Sequence, residues 1–260
     1  MLEGKSMKIF KIVKESPDRF ITGGVLIAVV ATVALINNFF ITWLFLGVSF
    51  IFAFYEAMSL FDIKNNSLFF YALFLWIVAF FYPNPDDLIF VILILFASYG
   101  AYKKFKDLKI ILPFLYVGSS YLFILALYKD FGIEALVWLV LVVAPADIGA
   151  YFFGKLFGKT FFSPTSPNKT LEGVIGGISL ATVIGTIYGV NFVEIPLSFF
   201  ISLSASMAAV FGDLYESYIK RAADVKDSGD LFPGHGGMLD RVDGYLFAAV
   251  IMVILLRGLA

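Results

Sequence analysis

The sequence predicts an all-α, polytopic integral membrane protein, a helical bundle of about nine transmembrane helices. Of its 260 residues, 60% are hydrophobic and 15% are charged, whereas soluble domains have roughly 45–50% apolar and about 25% charged residues. The apolar residues form long continuous runs, unlike the alternating segments of about ten residues in a membrane β-barrel. This composition argues against a soluble enzyme and a disordered chain. The net charge of −1 gives no basic field to gather nucleic acid.

Nine apolar runs approach the roughly 20 residues that a helix needs to cross the hydrocarbon core. They cover residues 20–39, 41–61, 67–83, 87–102, 110–128, 133–153, 173–192, 195–213 and 244–259. The first run is too long for a cleavable signal peptide and lacks a small-residue cleavage site. The seventh run is rich in glycine, which lets helices approach closely in a membrane. We therefore expect it either to pack tightly on a neighbour or to be a flexible helix.

Lysine and arginine residues indicate that the N-terminus is cytoplasmic, because these residues concentrate in cytoplasmic loops. With nine spans, 17 of the 19 basic residues fall on the side of the N-terminus, and only Lys129 and Arg257 fall on the other. We expect one membrane domain over 1–260, located in a bacterial inner membrane. Its parts are a cytoplasmic segment (1–19), mainly scaffold helices (20–146), catalytic helices and cytoplasmic loops (147–244) and a last transmembrane helix (245–260).

Charged residues concentrate near the end of the chain, in residues 212–243. Five polar residues have the spacing i, i+3, i+4, i+7, i+11, which places them in a stripe on one face of a helix. They are Asp213, Glu216, Ser217, Lys220 and Asp224. Asp240 and Asp243 share a second helix face. Carboxylates brought together repel unless a cation separates them, and Mg²⁺ binds such oxygens together with substrate phosphates. A solvated helix with ordinary ion pairs is the alternative.

Two further segments suit phosphate groups. The glycines of residues 233–237, PGHGG, allow backbone N–H groups to turn toward a phosphate, and His235 either donates to a phosphate or caps the loop. A second loop follows Asp147 and carries Lys155, Lys159 and Lys169, which suits a polyanion but also an ordinary positive-inside loop. Residues 154–160 resemble a P-loop, but they have three residues between the glycines and follow an apolar helix, which excludes a Walker-type NTPase.

Chemistry that depends on cysteine or on several histidines is excluded. The chain has no cysteine and one histidine, so disulfides, thiolate catalysis, thiolate zinc sites and multi-histidine metal sites are all impossible.

The two loops together resemble the phosphatidate cytidylyltransferases, also called CDP-diacylglycerol synthases. The family signature is similar to the run from Ser217 to Asp243, S-Y-I-K-R-x4-K-D-S-G-x-L-F-P-G-H-G-G-M-L-D-R-V-D. The upstream family segment resembles D-x-x-A-Y-x-x-G-K-x-x-G-K, which starts at Asp147, and S-P-N-K-T-x-E-G, which starts at Ser166. Glu56 is a weaker match to an acidic position of the family.

The resemblance implies that CTP and phosphatidate react to give CDP-diacylglycerol and pyrophosphate in phospholipid biosynthesis. It implies Mg²⁺, with a second cation left open, at the metal ligands Asp213, Asp240 and Asp243. The catalytic residues that it implies are Asp213, Asp240, Lys220, Arg221, Lys226, Asp227 and Arg241. The substrate-binding residues that it implies are Ser166, Lys169, His235, Gly236, Lys155, Lys159 and Asp147. It also implies a bilayer environment, no nucleic-acid partner and a homodimer.

The residues agree with such a reaction, because a phosphate monoester has a second pKa near 6 and is already ionised at neutral pH. Catalysis then needs positioning and charge neutralisation more than a strong base.

Three alternative functions compete with this one. A CDP-alcohol phosphotransferase is disfavoured because Asp243-Gly244 is not followed by Ala-Arg and later aspartates. A transporter or channel with Asp147 and Asp213 in an ion path stays open, although no internal repeat is visible. A related cytidylyltransferase that acts on an isoprenoid ether lipid also stays open.

Overall fold

The computed structural model describes residues 17–104, 108–232 and 236–259, most of them helical. The helices are α1 (Pro17–Ile36), α2 (Phe39–Leu60), α3 (Ser67–Phe81), α4 (Leu88–Lys103), α5 (Ser119–Phe157), α6 (Leu171–Gly189), α7 (Ile195–Ala222) and α8 (Leu239–Leu259). Short helical turns cover Pro85–Asp87, Leu108–Ile111 and Phe114–Gly118, the last of them a π-helical turn. Two strands, β1 (Phe161–Ser163) and β2 (Ser166–Thr170), form an antiparallel hairpin between α5 and α6.

The predicted all-α membrane bundle is confirmed, although the helix count is eight within the described ranges and not nine. Six of the described helical segments are long and apolar enough to cross a membrane: Phe39–Leu60, Pro85–Lys103, Leu108–Phe157, Leu171–Gly189, Ile195–Ala222 and Leu239–Leu259. Two shorter apolar helices cover Gly23–Ile36 and Ser67–Phe81. Each of the nine predicted runs coincides with helix, but two of them share α5.

The shared helix α5 reverses direction at Gly132, whose backbone is non-helical (φ 77°, ψ −172°). Before it, the ring of Tyr116 lies 4.9 Å from the ring of Tyr215 on α7. Just before the reversal, Asp130 pairs with Arg257 at the end of α8. After it, the charge of Asp147 acts on Asp213, back near Tyr215. The two limbs of α5, 119–131 and 133–157, therefore run in opposite directions, and this explains why two predicted spans became one element.

Aromatic side chains fill the core between α2, α3 and the first limb of α5. The ring of Phe50 lies 5.2 Å from that of Trp76 and 5.4 Å from that of Tyr121. All three are almost completely buried. The hydroxyl of Tyr121 is 2.9 Å from that of Ser49, so the buried phenol has the hydrogen-bond partner that such a group needs. This core joins the scaffold helices to the rest of the bundle.

Two basic residues, Lys129 and Arg257, join helix ends at the end of the bundle where α3 and α8 finish. Arg257 forms ion pairs with Asp86 and Asp130. Lys129 donates to the carbonyl oxygens of Ala79, Phe80 and Tyr82 at 3.0, 3.0 and 2.6 Å. It thereby satisfies carbonyls that the last turn of α3 leaves without an intrahelical partner. We call this end of the molecule the far end, because the candidate site lies at the other.

The glycines of α6 bring its backbone into contact with the second limb of α5. A Cβ atom at Gly177 would lie 2.8 Å from the backbone nitrogen of Ala150 and closer still to the carbonyl of Ala146. One at Gly173 would lie 2.7 Å from the carbonyl oxygen of Ala150. Of the two expectations for this helix, the structure therefore supports tight packing. The consequence for the site is that the hairpin between α5 and α6 starts from two helices that are held closely together.

Candidate active site

The two loops that the sequence analysis singled out meet at the end of the bundle opposite the far end. Lys169 on β2 forms an ion pair with Asp213 on α7, and both side chains are about one quarter exposed, at 23% and 25%. This contact joins the loop between α5 and α6 to the last third of α7. The structure therefore places Lys169 and Asp213 in one site, as expected.

Glu172, in the first turn of α6, fixes the base of the β hairpin. Its carboxylate accepts the backbone N–H groups of Lys159 and Thr160, each at 3.1 Å, and the hydroxyl of Thr160 at 2.8 Å. A negative charge is favourable at a helix N-terminus, where backbone N–H groups are unpaired. The sequence analysis gave Glu172 no role, although its place just after Thr170 at the start of a helix was a usable signal.

Asp240, in the first turn of α8, is the centre of a dense polar network. Its Oδ1 accepts from the Lys220 ammonium at 2.6 Å. Its Oδ2 accepts from the Ser228 backbone N–H at 2.8 Å, the Ser228 hydroxyl at 2.7 Å and the Gly237 N–H at 2.7 Å. The side chain is 6% exposed. Both of its oxygens therefore already hold protein donors and fix the loop between α7 and α8.

The predicted charged stripe is correct along α7 and ends with it. Asp213, Glu216 and Lys220 all face the site, and the Lys220 ammonium lies 2.5 Å from Glu216. Glu216 is almost completely buried, with 1% of its side chain exposed; it was part of the stripe but had received no role. The prediction is wrong for Asp224, because α7 ends at Ala222 and Asp224 turns out of it with a left-handed backbone (φ 56°).

Three carboxylates, Asp147, Asp213 and Asp243, lie near enough that their charges act on one another. Helices α7 and α8 touch at this point, since a Cβ atom at Gly212 would lie 2.5 Å from the carbonyl oxygen of Asp243. The oxygen atoms of these three carboxylates fit the chemistry of a hard cation such as Mg²⁺. Within the described ranges, however, no three acidic or imidazole side chains converge as a ready-made metal centre. Lys169 stands as the cation beside Asp213 instead.

The other predicted residues lie around this centre, and several are exposed. Arg221 donates to the Val225 carbonyl at 2.9 Å, which closes the turn after α7. Lys155 lies over the ring of Tyr151, 4.4 Å from its centroid. Arg241 is exposed, and its charge acts on Asp147. The remaining ones that can be placed are Lys159, Lys226 and Asp227, all exposed, and Ser166, which is half-buried at the start of β2. His235 lies outside the described residues, as do its neighbours 233 and 234.

The glycine-rich segment folds back on protein carboxylates. Gly236 has a left-handed backbone (φ 78°), and a Cβ atom there would collide with the carboxylate of Asp240. The N–H of Gly237 donates to that same carboxylate. The sequence analysis expected these glycines to turn N–H groups toward a phosphate. In the structure, the N–H of Gly237 serves Asp240.

One acidic residue reaches this site from the scaffold. Glu56, near the end of α2, is 6% exposed, and accepts the Ser228 hydroxyl at 2.9 Å and the backbone N–H groups of Met238 and Leu239 at 2.9 and 2.7 Å. The sequence analysis noted Glu56 but did not place it, because its partners lie more than 170 residues further along the chain.

Comparisons with known proteins find similar sequences over most of the chain. A model of the cytidylyltransferase family matches residues 17–259. A phosphatidate cytidylyltransferase of Helicobacter pylori strain J99 is 43% identical over 242 residues, which cover 92% of this chain and 91% of the relative. One from strain 26695 is 44% identical over 236 residues, covering 90% and 89%. One from Bacillus subtilis strain 168 is 39% identical over 154 residues, covering 56% and 57%. The apolar helices and the bacterial relatives together indicate an integral membrane protein.

Proposed function

Because the chain belongs to the cytidylyltransferase family, we propose that it catalyses the transfer of the cytidylyl group of CTP to phosphatidate, with release of pyrophosphate. The product is CDP-diacylglycerol, a precursor for phospholipid biosynthesis. The two Helicobacter pylori relatives, which cover 92% and 90% of this chain, are phosphatidate cytidylyltransferases, and this supports the proposal. Phosphatidate is a lipid and CTP is a soluble polyanion, so a charged site at the end of membrane helices suits both.

The observation that carries the proposal is the ion pair between Lys169 and Asp213. It joins two loops, each carrying part of the family resemblance, into one charged site. Lys220 adds a second ammonium group, 2.6 Å from Asp240. Cations that are held in place by carboxylates suit a reaction whose difficulty is to bring two anions together.

In the proposed reaction, an oxygen of the phosphatidate phosphate attacks the α-phosphorus of CTP, and the bond to the β-phosphate oxygen breaks. The attacking phosphate is already ionised at neutral pH, so no side chain has to remove a proton. Lys169 and Lys220 stabilise the charge that builds up on the phosphate oxygens, because ammonium groups fixed before the reaction need not reorganise. Asp213, Asp240 and Glu216 keep the two lysines in position.

We propose Mg²⁺ as the cofactor, held by Asp213 and Asp243 with Asp240 beside them. Bound there, the ion would neutralise phosphate charge. Asp213 and Asp243 have the stronger support, because Asp240 already accepts from Lys220, Ser228 and Gly237. Asp243→Asn should raise the Mg²⁺ concentration that gives half-maximal activity about tenfold or more. An unchanged magnesium dependence would contradict this assignment. A second cation at the same carboxylates stays part of the proposal.

We further propose that the protein lies in a bacterial inner membrane, with its N-terminus and the site in the cytoplasm. The excess of basic residues on that side supports the orientation. A homodimer is supported only by the resemblance to the family. Chemical crosslinking of the protein in its native membrane tests it, and a product of monomer mass alone would contradict it.

The deciding experiment incubates the purified protein with CTP, phosphatidate and Mg²⁺ and measures pyrophosphate. We expect release only when the lipid is present. Parallel arms with UTP, dCTP and an isoprenoid ether lipid phosphate define the substrates. Release without lipid, or none with any pair, would contradict the proposal. Solute flux through proteoliposomes without lipid-dependent pyrophosphate release would instead favour a transporter.

A further inference from the structure

Glu56 is a buried carboxylate whose bonding partners all belong to one distant segment. It lies on α2, and its three hydrogen-bond donors are Ser228, Met238 and Leu239. No lysine or arginine forms an ion pair with Glu56 in the described ranges. A charge taken out of water is costly unless it is hydrogen-bonded. The bonds to this segment therefore hold both the carboxylate and the segment in place.

Two of those donors are the backbone N–H groups where α8 begins. The first N–H groups of a helix have no intrahelical partner, and they are usually satisfied by a side chain just before the helix. Here the preceding residue is Met238, which cannot do this. Glu56 supplies the acceptor from another helix, and its negative charge is favourable at that end of α8. The start of α8 therefore depends on α2.

The third donor connects Glu56 to the catalytic network. The hydroxyl of Ser228 lies 2.9 Å from Glu56 and 2.7 Å from Asp240. Asp240 in turn holds the ammonium of Lys220. A continuous series of polar contacts thus leads from the scaffold helix through Ser228 and Asp240 to Lys220, the lysine proposed above to stabilise phosphate charge.

Two glycines make this contact possible. A Cβ atom at Gly229 would lie 2.8 Å from a carboxylate oxygen of Glu56, and one at Gly237 would lie closer. Both glycines belong to the loop between α7 and α8. The loop is therefore shaped to receive the Glu56 carboxylate at two points, in addition to the hydrogen bonds at Ser228 and at the start of α8.

We propose that Glu56 is a positioning residue for cytidylyl transfer: it fixes Ser228, Met238 and the start of α8, and so sets the positions of Asp240 and Lys220. This inference rests on the proposed function for its kinetic consequence. Its structural consequence, an ordered loop, does not depend on it. Glu56 does not itself touch the substrates, so it acts on turnover through Asp240 and Lys220.

The first test compares Glu56→Gln with Asp62→Asn in the full-length protein in detergent. Gln keeps the size of the side chain but replaces one carboxylate oxygen by an NH₂ group, which cannot accept the hydrogen bonds that this oxygen accepts from the protein. The control also replaces a carboxylate by an amide near the end of α2, at the exposed Asp62, which forms an ion pair with Lys64 at 3.6 Å. Its left-handed backbone (φ 53°) is one that Asn adopts readily.

We expect Glu56→Gln to lower kcat by about tenfold to a hundredfold while KM for CTP changes less than about threefold. Hydrogen exchange should become faster in residues 228–232 and 236–239 and stay unchanged in α6, while Asp62→Asn changes neither measurement. Unchanged exchange in both of these ranges would overturn the proposal, and so would normal turnover in Glu56→Gln. If the wild-type protein transfers no cytidylyl group, the proposed function fails, and the exchange measurement still decides the role of Glu56.

The second test uses Ser228→Ala, which leaves the bonds from Glu56 to the start of α8 intact. If Ser228 transmits the positioning to Asp240, the effects of Glu56→Gln and Ser228→Ala on kcat should be coupled. The double variant should then be less impaired than the product of the two single effects, since both break the same connection. Independent, multiplicative effects would overturn the transmission through Ser228. If Glu56→Gln does not fold, Ser228→Ala alone should lower kcat and speed exchange in residues 228–232, because it removes the hydroxyl that joins Glu56 to Asp240; normal values of both would overturn the proposal.

Discussion

At the scale of single residues, the site is a set of lysines that are each held by a carboxylate on another element. Lys169 is held by Asp213, and Lys220 is held by Asp240 and Glu216. Fixing a long side chain in advance removes the need to order it when a phosphate arrives. The same carboxylates offset both ammonium charges while no substrate is bound.

Lys169→Ala should lower kcat/KM for CTP about a hundredfold, because a fixed positive charge is lost where phosphate charge builds up. Lys64→Ala is the matched control. Lys64 also pairs with an aspartate, but that pair is almost fully exposed, with 90% and 83% of the side chains accessible. Pyrophosphate release at varied CTP concentration measures both variants. Equal kinetics in Lys169→Ala and Lys64→Ala would contradict a role for Lys169.

The stripe along α7 shows which site residues can be predicted from helical spacing and which cannot. Helical spacing correctly placed Asp213, Glu216 and Lys220 on one face, because i, i+3 and i+7 positions stack in any helix. It failed at Asp224, since the same spacing continued past a helix end that no glycine or proline marks. The partners of Glu56 could not be predicted for another reason. Ser228 lies 172 residues away in sequence, and a local residue pattern does not encode such a tertiary contact.

At the scale of elements, the packing of α6 on the second limb of α5 supports the hairpin that carries Lys169. Glycines allow the two backbones to touch, and Glu172 then fixes the base of the hairpin from the first turn of α6. From glycine content alone, the sequence left tight packing and a flexible helix both open for α6, and the contacts of Gly173 and Gly177 support the first. The sequence also predicted the reversal now found at Gly132, because it ended one span at residue 128, began the next at 133 and put Lys129 between them on the opposite side of the membrane.

Gly177→Ala should destabilise the protein by about 1–3 kcal/mol, the usual effect of adding a methyl group to a tightly packed interface. The obstacles are the backbone atoms of Ala146 and Ala150, which cannot move aside as a side chain could. Gly258→Ala in α8 is the control, since a Cβ atom there meets nothing within 4 Å. Thermal unfolding in detergent measures both. A midpoint for Gly177→Ala equal to that of the control would show that the helices can separate freely.

At the scale of the whole molecule, the bundle has a chemically active end and a structural far end. Arg257 connects α8 to Asp86 at 2.6 Å and to Asp130 at 2.7 Å. Both basic residues that the sequence analysis assigned to the opposite side of the membrane, Lys129 and Arg257, lie at the far end. The distribution of charge along the chain therefore agrees with the ends of the bundle.

Arg257→Met should lower the midpoint of thermal unfolding but leave kcat within about twofold of the wild type, since distant sites act nearly independently. Without the guanidinium, Asp86 and Asp130 keep their negative charges with no counter-ion from α8. Unfolding followed in detergent and pyrophosphate release measured on the same sample separate the two effects. A large loss of kcat at an unchanged midpoint would contradict a purely structural role.

The orientation in the membrane can be tested because the natural chain has no cysteine. Asn66 and Asn84 are both exposed and stand on either side of α3, Asn66 at the site end and Asn84 at the far end. In intact cells, a membrane-impermeant maleimide should label Asn84→Cys, and should label Asn66→Cys only after the inner membrane is permeabilised. The reverse pattern would place the site outside the cytoplasm and contradict the proposed access of CTP.

The ties made by Lys129 and Arg257 have a consequence for how a two-tailed lipid enters. Four helix termini are held together at the far end, so these helices cannot separate there without breaking several hydrogen bonds and ion pairs. If the bundle widens to admit the acyl chains, the helices must move apart at the site end while the far end stays closed. We therefore expect crosslinks between helices at the far end to leave turnover intact, and crosslinks between helices at the site end to stop it.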